Sequence, residues 1–236
     1  MKYGIQLYSV RDFTEQDFDG AIKAVAELGY GAVEFAGFFN RTPDDINTLL
    51  KDYNLLNYGA HASLDDLLNN FDDTVRFHKA IKTPYYIIPY CDLSCKEKID
   101  EFVNAVNLLQ PKLEKHDITL AYHNHAAEFL KNADESIAFE ELYKRTNLSF
   151  QIDVFWAYVA GKDPILLIKQ LENRVCSVHL KDGFPGGEGN PLGQGEVPIK
   201  EICDYLKDTD ILLVVESETC TPDGISEAKI CIEYLK

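Results

Sequence analysis

Short apolar runs and amphipathic segments alternate along the whole chain. Apolar runs of about four to eight residues bounded by turn residues favour buried strands, whereas apolar positions spaced three and four apart favour helices. In the first unit, an apolar run at 3–8 is followed by helical spacing from Glu15 to Leu28, and Gly29 supplies the stop. Further units of the same kind follow without a linker.

Eight strand–helix units are predicted in this way. The predicted strands lie at 3–8, 31–36, 56–62, 84–90, 118–124, 148–153, 175–180 and 211–216. The predicted helices lie at 15–28, 44–53, 63–81, 94–116, 134–145, 163–173, 198–207 and 226–235. Alternating units with apolar, β-branched or aromatic strands favour a parallel sheet covered by helices.

The number of units favours closure of the sheet. Eight units without a break in composition predict an α/β fold, a TIM (β/α)8 barrel that uses residues 1–236 as a single domain. The alternative is an open doubly wound sheet, which usually carries fewer strands and a Gly-rich first turn, where this chain has SVRDF.

Three local features carry predictions of their own. Ser63 is expected to cap its helix, with Asp66 three residues on. Pro111 falls late in the pattern 94–116, so we expect a kink or a break there. His78 and His116 fall on predicted helices, and we expect both at the surface.

Polar side chains cluster where the later strands end. Because successive side chains in a strand alternate faces, His123 and His125 share one face of the run Ile118–Phe129. The same parity places Gln151 with Asp153 on one face of the sixth strand. It also groups Ser177 with His179 and Lys181, and Val214 with Glu216 and Glu218.

These strand ends predict a metal site at the carboxyl mouth of the barrel. Buried imidazoles and carboxylates are costly unless they bind a metal, each other or a substrate. Asp153, His179 and Glu216, with His123 from the strand before, form a nitrogen and oxygen set that suits Mn²⁺, Zn²⁺, Co²⁺ or Fe²⁺. The alternative is a structural polar network without a metal.

Composition narrows the class of protein. With 46% hydrophobic and 26% charged residues, the chain fits an ordinary globular domain, and its formal charge of −16 argues against nucleic acid as a partner. The chain carries no apolar run long enough to span a membrane, and we expect neither a signal peptide nor a membrane as a partner. Its six cysteines show no CxxC pair, which favours a reducing compartment, and we expect a cytoplasmic protein. The sequence leaves a homo-oligomer open.

Several motifs resemble a known family. They are GIQLYSVRD, AYHNHAAEF, QIDVFWAYVAGKDP, VHLKD followed by LGQGEVP, and LLVVESE, and they span nearly the whole chain in order. Together they look like the xylose isomerase-like barrel family of sugar-phosphate isomerases and epimerases. The resemblance implies a divalent metal held by Asp153, His179 and Glu216, and a carbohydrate bound against it. The chain departs from the family at His123, where many relatives have Glu, and at Trp156, where relatives have His.

The resemblance implies an isomerase or epimerase that acts on a keto-sugar or related carbohydrate by enolisation. A metal that polarises a carbonyl makes the neighbouring C–H acidic, and this step also serves the alternative reading, a metal-dependent lyase that acts on a keto-sugar, a keto-glycoside or an inosose by dehydratase-type β-elimination. Glu216 is the expected base, and His125, Lys181 or Glu128 is its expected partner, with Lys181 favoured and its pKa expected to be lowered by a nearby cation. A non-catalytic sugar-binding barrel and an abasic-site endonuclease are further alternatives, and the acidic composition speaks against the endonuclease.

The remaining candidates concern the small-molecule carbohydrate substrate. Glu34, His61, Trp156 and Glu128 are expected to contact it, although each of Glu34, His61 and Trp156 has a structural role as an equal alternative. The loop Gly183–Pro198 contains six glycines and three prolines, which favours a mobile or ligand-folding segment. Because this loop has two glutamates and no Lys or Arg, we expect a non-phosphorylated sugar.

Overall fold

Eight parallel strands pair edge to edge until the last one meets the first. The computed structural model describes residues 3–236. The strands are β1 (Gly4–Gln6), β2 (Ala32–Ala36), β3 (Leu56–His61), β4 (Tyr85–Ile88), β5 (Thr119–His123), β6 (Ser149–Asp153), β7 (Val175–Leu180) and β8 (Leu212–Val215). Each strand pairs with its neighbours in chain order, and Gly4 and Ile5 of β1 pair with Val214 and Val215 of β8. The predicted closed barrel is therefore confirmed.

Helices follow the strands around the outside of the barrel. They are α1 (Arg11–Thr14), α2 (Phe18–Leu28), α3 (Pro43–Asp52), α4 (Leu64–Asn69), α5 (Phe71–Ala80), α6 (Lys96–Glu114), α7 (Ala138–Arg145), α8 (Val154–Val159), α9 (Pro164–Leu171), α10 (Ile199–Leu206) and α11 (Gly224–Tyr234). Short 3-10 turns lie at Leu7–Val10, Ala127–Phe129 and Glu172–Arg174. Among residues 3–236, no helix combines the length and the apolar character needed to cross a membrane.

Side-chain caps fix where several helices begin. The Ser63 hydroxyl accepts the backbone N–H of Asp65, so this predicted cap is confirmed. Thr42 and Asp45 form a reciprocal capping box at the start of α3. The segment predicted as one helix at 63–81 is divided at Asn70 into α4 and α5.

The prediction of a break at Pro111 is wrong, because α6 runs through the proline as one helix, whereas the alternative of a kink stays a prediction. Leu109 and Leu113 are buried on either side of the proline, whereas Pro111 itself is exposed. The carbonyl that the proline leaves without a helical partner belongs to Asn107, which is also exposed and can be hydrated. Packing of the buried face therefore keeps the helix continuous.

The prediction of a surface position for His78 is also wrong. Its side chain is buried on the inner face of α5, with its ring against Phe38, Phe77 and Tyr86. Its Nδ1 lies 3.2 Å from the Thr83 hydroxyl. Burial lowers the pKa of His78 to about 4, so this imidazole is a neutral core residue at neutral pH.

Candidate active site

Four polar side chains meet at the carboxyl mouth of the barrel. His123 and Asp153 end β5 and β6, His179 lies one residue before the end of β7, and Glu216 follows β8. In the strand register, Asp153 of β6 pairs with His179 of β7. On the other side of β7, His179 pairs with Val214 of β8, which lies two residues before Glu216. All four are buried, and one ligand atom from each lies within 4.8 Å of the others. The parity argument therefore placed these four residues together.

The donor set fits a divalent cation. Asp153 Oδ2 is buried and has no hydrogen-bond partner, and His179 Nδ1, which makes no well-directed hydrogen bond, lies 3.2 Å from Glu216 Oε2. Asp153 uses Oδ1 to accept the backbone N–H of Trp156 at 2.8 Å as the cap of α8, which leaves Oδ2 free to ligate. His123 uses Nδ1 for Gln151, at 3.0 Å, and its other ring nitrogen remains available. Two imidazoles and two carboxylates suit zinc, manganese, cobalt or iron.

Glu34, expected to contact substrate, lies beneath the four residues and is fully buried. Its Oε1 is 2.7 Å from His179 Nε2 and accepts the Gln6 amide at 2.7 Å, while its Oε2 accepts the Gln151 amide at 2.6 Å. Because an ionised carboxylate only accepts, His179 must donate its Nε2–H to Glu34. His179 therefore turns Nδ1 toward Glu216 and Asp153, as a metal ligand requires.

Burial and neighbouring charges act in opposite directions on the central residues. Burial alone would lower the pKa of His179, but Glu34 and Glu216 on its two nitrogens raise it to about 10. Burial alone would raise the pKa of Glu216, but His179 and Lys181 hold it well below its ordinary value. For Asp153 the neighbouring positive charges do not offset the effect of burial, which raises its pKa to about 7. Glu216 is therefore an ionised carboxylate at neutral pH.

Lys181 lies beside Glu216 at the rim of this centre. Its Nζ is 3.6 Å from Glu216 Oε2 and 2.6 Å from Glu218 Oε2, and it stands 5.0 Å from the ring centre of Trp156. Burial alone would lower the pKa of Lys181, but Glu216, Asp153 and Glu218 together raise it. The direction is opposite to the lowered pKa expected from the sequence, because carboxylates outnumber cations around the ammonium. Lys181 is thus protonated at neutral pH.

The other predicted contact residues divide into two groups. His61 and His125 line the cavity above the four central residues, and Trp156 packs 5.8 Å from the His125 ring. Glu128 faces away from the cavity, because its carboxylate accepts the Tyr122 hydroxyl at 2.8 Å and the backbone N–H of His125 at 2.9 Å. Its position indicates that it holds the turn after β5 rather than a substrate.

The structure adds residues that the sequence interpretation left without a role. Gln151 is fully buried at the centre of the network and links Glu34 with His61, whose Nε2 is 2.6 Å from Gln151 Oε1. The cavity measures about 400 Å³ and is also lined by Tyr8, Tyr90 and Glu218. A usable signal was present, because Tyr8, Tyr90 and Glu218 lie just beyond the ends of strands and Gln151 is two residues before Asp153 on the same strand.

The loop Gly183–Pro198 is folded around one carboxylate. Asp182 accepts the backbone N–H groups of Gly183, Gly193, Gly195 and Val197, at 2.8 to 3.1 Å. Residues Asp182–Gly183 and Gly189–Asn190 pair as a short antiparallel hairpin. A Cβ on Gly195 would lie 2.3 Å from Asp182 Oδ1, so only glycine fits there. One buried side chain thus satisfies four backbone donors of this loop, and the expected mobile or ligand-folding behaviour stays a prediction.

The closed barrel and its polar mouth define a class of enzyme-like (β/α)8 proteins with a metal-competent centre. The chain belongs to the xylose isomerase-like TIM barrel family, whose sequence model matches residues 22–235. An inosose dehydratase from Mesomycoplasma hyopneumoniae (strain J) is 25% identical over 186 residues, which cover 70% of this chain and 62% of that protein. The chain thus spans less than two thirds of the length of this relative.

Solved structures share the fold. A sugar phosphate isomerase/epimerase from Parabacteroides distasonis superimposes with a TM-score of 0.87 at 19% identity, covering 99% of this chain and 97% of that one. A probable 3-DHS dehydratase from Bacillus anthracis superimposes with a TM-score of 0.78 at 17% identity, covering 100% and 98%. Proteins named as a sugar phosphate isomerase/epimerase and as a probable dehydratase therefore share the fold of this chain.

Proposed function

We propose that this protein is a metal-dependent enzyme that removes a proton next to the carbonyl of a keto-carbohydrate. One observation carries the proposal. The ligand atoms of His123, Asp153, His179 and Glu216 converge in a buried site, where Asp153 Oδ2 has no partner and His179 Nδ1 faces only the Glu216 carboxylate. Such atoms are costly to bury unless something binds them.

The protein's own residues suit the roles of base and acid. A bound divalent cation would polarise the substrate carbonyl and so make the neighbouring C–H acidic. The ionised Glu216 carboxylate would take that proton, and the Lys181 ammonium would hold or donate a proton at a substrate oxygen. His125, which lines the same cavity, is the alternative acid. The buried position of Lys181 would keep bulk water away from this pair.

The spacing of acid and base bears on the outcome of the reaction. Glu216 Oε2 and Lys181 Nζ are 3.6 Å apart, so they would act on one face of the substrate. Epimerisation by two groups needs them on opposite faces. One-face chemistry supports β-elimination, in which Glu216 removes the proton, the C–O bond breaks, and Lys181 protonates the departing hydroxyl as water. The likeness to an inosose dehydratase supports this outcome.

Isomerisation is the second candidate. A base on one face can also return the proton to the adjacent carbon after enolisation, which would convert a ketose into an aldose without loss of water. The sequence motifs placed isomerisation and epimerisation first. The Glu216–Lys181 geometry favours dehydration over both, because a fixed ammonium can assist a leaving hydroxyl.

The test uses inosose and a panel of ketohexoses in heavy water. The protein would be loaded separately with Mn²⁺, Co²⁺ and Zn²⁺, and the products would be followed by mass spectrometry. A product lighter by one water supports dehydration, and a product of equal composition with deuterium bound to carbon supports isomerisation. A Glu216→Gln variant should lose both metal retention and deuterium exchange. The proposal fails if the purified protein binds no divalent metal and any turnover survives chelators.

A further inference from the structure

Three imidazole rings lie side by side at the mouth of the barrel. The ring centres of His61, His123 and His179 are 4.8 to 5.3 Å apart. The proposed function uses His123 and His179 as metal ligands and gives His61 no defined part. The His61 side chain is 11% exposed and lines the cavity, so a ligand can reach it.

The amide of Gln151 contacts two of these rings, and its orientation is fixed by its other neighbours. One end of the amide lies 2.6 Å from Glu34 Oε2 and 2.9 Å from the Ser177 hydroxyl. Because an ionised carboxylate only accepts hydrogen bonds, this end must be the Nε2 group, which carries the hydrogens. The other end is therefore the carbonyl oxygen Oε1, which only accepts.

This oxygen determines which nitrogen of each imidazole carries hydrogen. His61 Nε2 lies 2.6 Å from Gln151 Oε1, and His123 Nδ1 lies 3.0 Å from it. Both nitrogens must donate, because the oxygen has no hydrogen to give. Glu34 Oε1, 3.2 Å from His61 Nε2, is a second acceptor for the same nitrogen. Gln151 and Glu34 together hold the His61 ring in its Nε2–H form.

The other nitrogen of His61 is left as a hydrogen-bond acceptor. A neutral imidazole with its hydrogen on Nε2 has its lone pair on Nδ1. Within residues 3–236, no hydrogen bond occupies this Nδ1. A ligand oxygen that carries hydrogen would pair with it, whereas a carbonyl, ether or carboxylate oxygen would meet it lone pair to lone pair. His61 therefore distinguishes a hydroxyl group from the other oxygens of a carbohydrate.

Metal ligation is the competing role for His61. A nitrogen of His61 lies within 4.8 Å of nitrogens of His123 and His179, so these three side chains could also hold a cation. The set that combines His123 and His179 with Asp153 and Glu216 contains two carboxylates, whereas the set with His61 contains none. Carboxylates neutralise the charge of a divalent cation, so the four-residue set is the better metal site and His61 remains free for the substrate.

We infer that His61 is a specificity-determining residue, whose Nδ1 accepts the hydrogen of a substrate hydroxyl. The inference rests on the proposed function, which places the substrate carbonyl at the metal. It adds the orientation of the substrate, because a hydroxy-ketone bound the other way round would press its carbonyl oxygen against the Nδ1 lone pair. A hydroxyl at this position is thus required of any substrate that binds productively.

Nitrogen-15 NMR of the histidine-labelled, zinc-loaded protein at pH 8 tests the polarity of the hydrogen bond. His61 should give the signals of the Nε2–H form, assigned by their loss in His61→Phe. The probes are myo-inositol and sorbitol, which have hydroxyl groups but no carbonyl that could react. Saturation with a probe should shift the Nδ1 signal and leave the Nε2 signal nearly unchanged. An Nδ1–H form or an imidazolium would overturn the inference.

Calorimetry with the same polyols on the Mn²⁺-loaded protein tests the discrimination. Each polyol is compared with analogues in which fluorine replaces one hydroxyl, because fluorine has a similar size and cannot donate. At least one analogue should bind about three- to tenfold more weakly than its parent. His61→Phe keeps a ring and removes the acceptor, so the difference should disappear. His61→Asn removes the ring but offers an amide oxygen close to the position of Nδ1, so it should restore most of the difference.

A matched control replaces a histidine outside the cavity. His116 follows α6, and its ring lies 6.4 Å from that of Phe71. His116→Phe should leave the difference between parent and fluorinated polyols unchanged. A loss as large as in His61→Phe would show that the effect is general and would overturn the role of His61.

The outcomes separate the role of His61 from the proposed reaction. If His61→Phe weakens Mn²⁺ binding more than about tenfold, His61 is a metal ligand and the inference is wrong. Equal affinity for the parents and every analogue, or no binding of either polyol, overturns the role of His61 alone when metal binding and ketose turnover are intact. Discrimination that depends on His61 in a protein that retains no metal overturns the proposed reaction alone.

Discussion

Replacing Glu34 by glutamine tests how the metal-competent centre is organised. Glu34 accepts from Gln6, Gln151 and His179 at 2.6 to 2.7 Å, so all of its close neighbours are donors. A glutamine amide would direct an N–H₂ group at one of them. Gln151 cannot turn to relieve this contact, because its Oε1 serves His61 at 2.6 Å. The variant therefore loses the acceptor that fixes His179 or leaves a buried donor unpaired.

The expected magnitude follows from the role of that acceptor. Removing a partner that orients a metal-ligating histidine typically lowers metal affinity about 10- to 100-fold, which corresponds to about 1.4–2.7 kcal/mol. We expect Glu34→Gln to weaken Mn²⁺ binding by this factor in a competition titration with a fluorescent chelator. Nitrogen-15 NMR of the His179 ring in the zinc-loaded protein should show that the Nε2–H form no longer predominates.

A matched control is Glu128→Gln, which also alters a buried carboxylate that accepts two hydrogen bonds. Glu128 contacts no metal-competent side chain, so we expect the dissociation constant for Mn²⁺ to change less than about threefold. An unchanged dissociation constant in Glu34→Gln, with a raised KM instead, would refute this reasoning and return Glu34 to the substrate-contact role expected from the sequence.

Three further predictions concern the loop, the core and the acid. Asp182→Asn should lower the free energy of unfolding by about 2–4 kcal/mol in urea titrations, because one of the two accepting oxygens becomes a donor. Hydrogen exchange at the backbone amides of Gly193 and Gly195 should become faster for the same reason, and unchanged exchange would contradict this prediction. His78 has a pKa of about 4 in the folded state against an ordinary value of 6.5, so the unfolded state takes up a proton first as the pH falls. Up to about 3 kcal/mol of stability should therefore be lost between pH 6.5 and pH 4, and this residue should cause no further loss below pH 4. The same titration of His78→Phe should lack this component. Lys181→Met should retain Mn²⁺ while turnover falls about 10²–10⁴-fold; near wild-type turnover would make Lys181 structural and His125 the preferred acid.

The sequence was most informative where the deciding interactions are local. A side-chain period of two places Gln151 with Asp153, and Ser177 with His179, on inward faces, and the structure has both pairs there. The eight-unit count was enough to predict closure of the barrel. Both inferences depend on residues that are near one another in the chain.

Contacts between distant strands could not be predicted in the same way. Glu34 is 117 residues from Gln151 and 145 from His179, and nothing in a single sequence indicates that these side chains meet. Its role as the acceptor beneath His179 therefore appears only in the folded barrel. Glu128 is the opposite case, because it accepts a hydrogen bond from the backbone of His125, only three residues away in the chain. Local turn chemistry could have revealed this contact from the sequence.

The departure at His123 changes the charge balance of the whole centre. The family resemblance implies a carboxylate at that position, whereas His123 is neutral because burial, together with His179 and His61, lowers its pKa well below the ordinary value. The centre then contains one ammonium, Lys181, and four carboxylates, those of Glu34, Asp153, Glu216 and Glu218. With the imidazoles neutral, a bound divalent cation would leave a single net negative charge. A third carboxylate ligand, in place of His123, would neutralise more of the positive charge that polarises a carbonyl. With an imidazole there instead, more of that charge acts on the substrate, while the residual negative charge favours a neutral carbohydrate over a phosphorylated one.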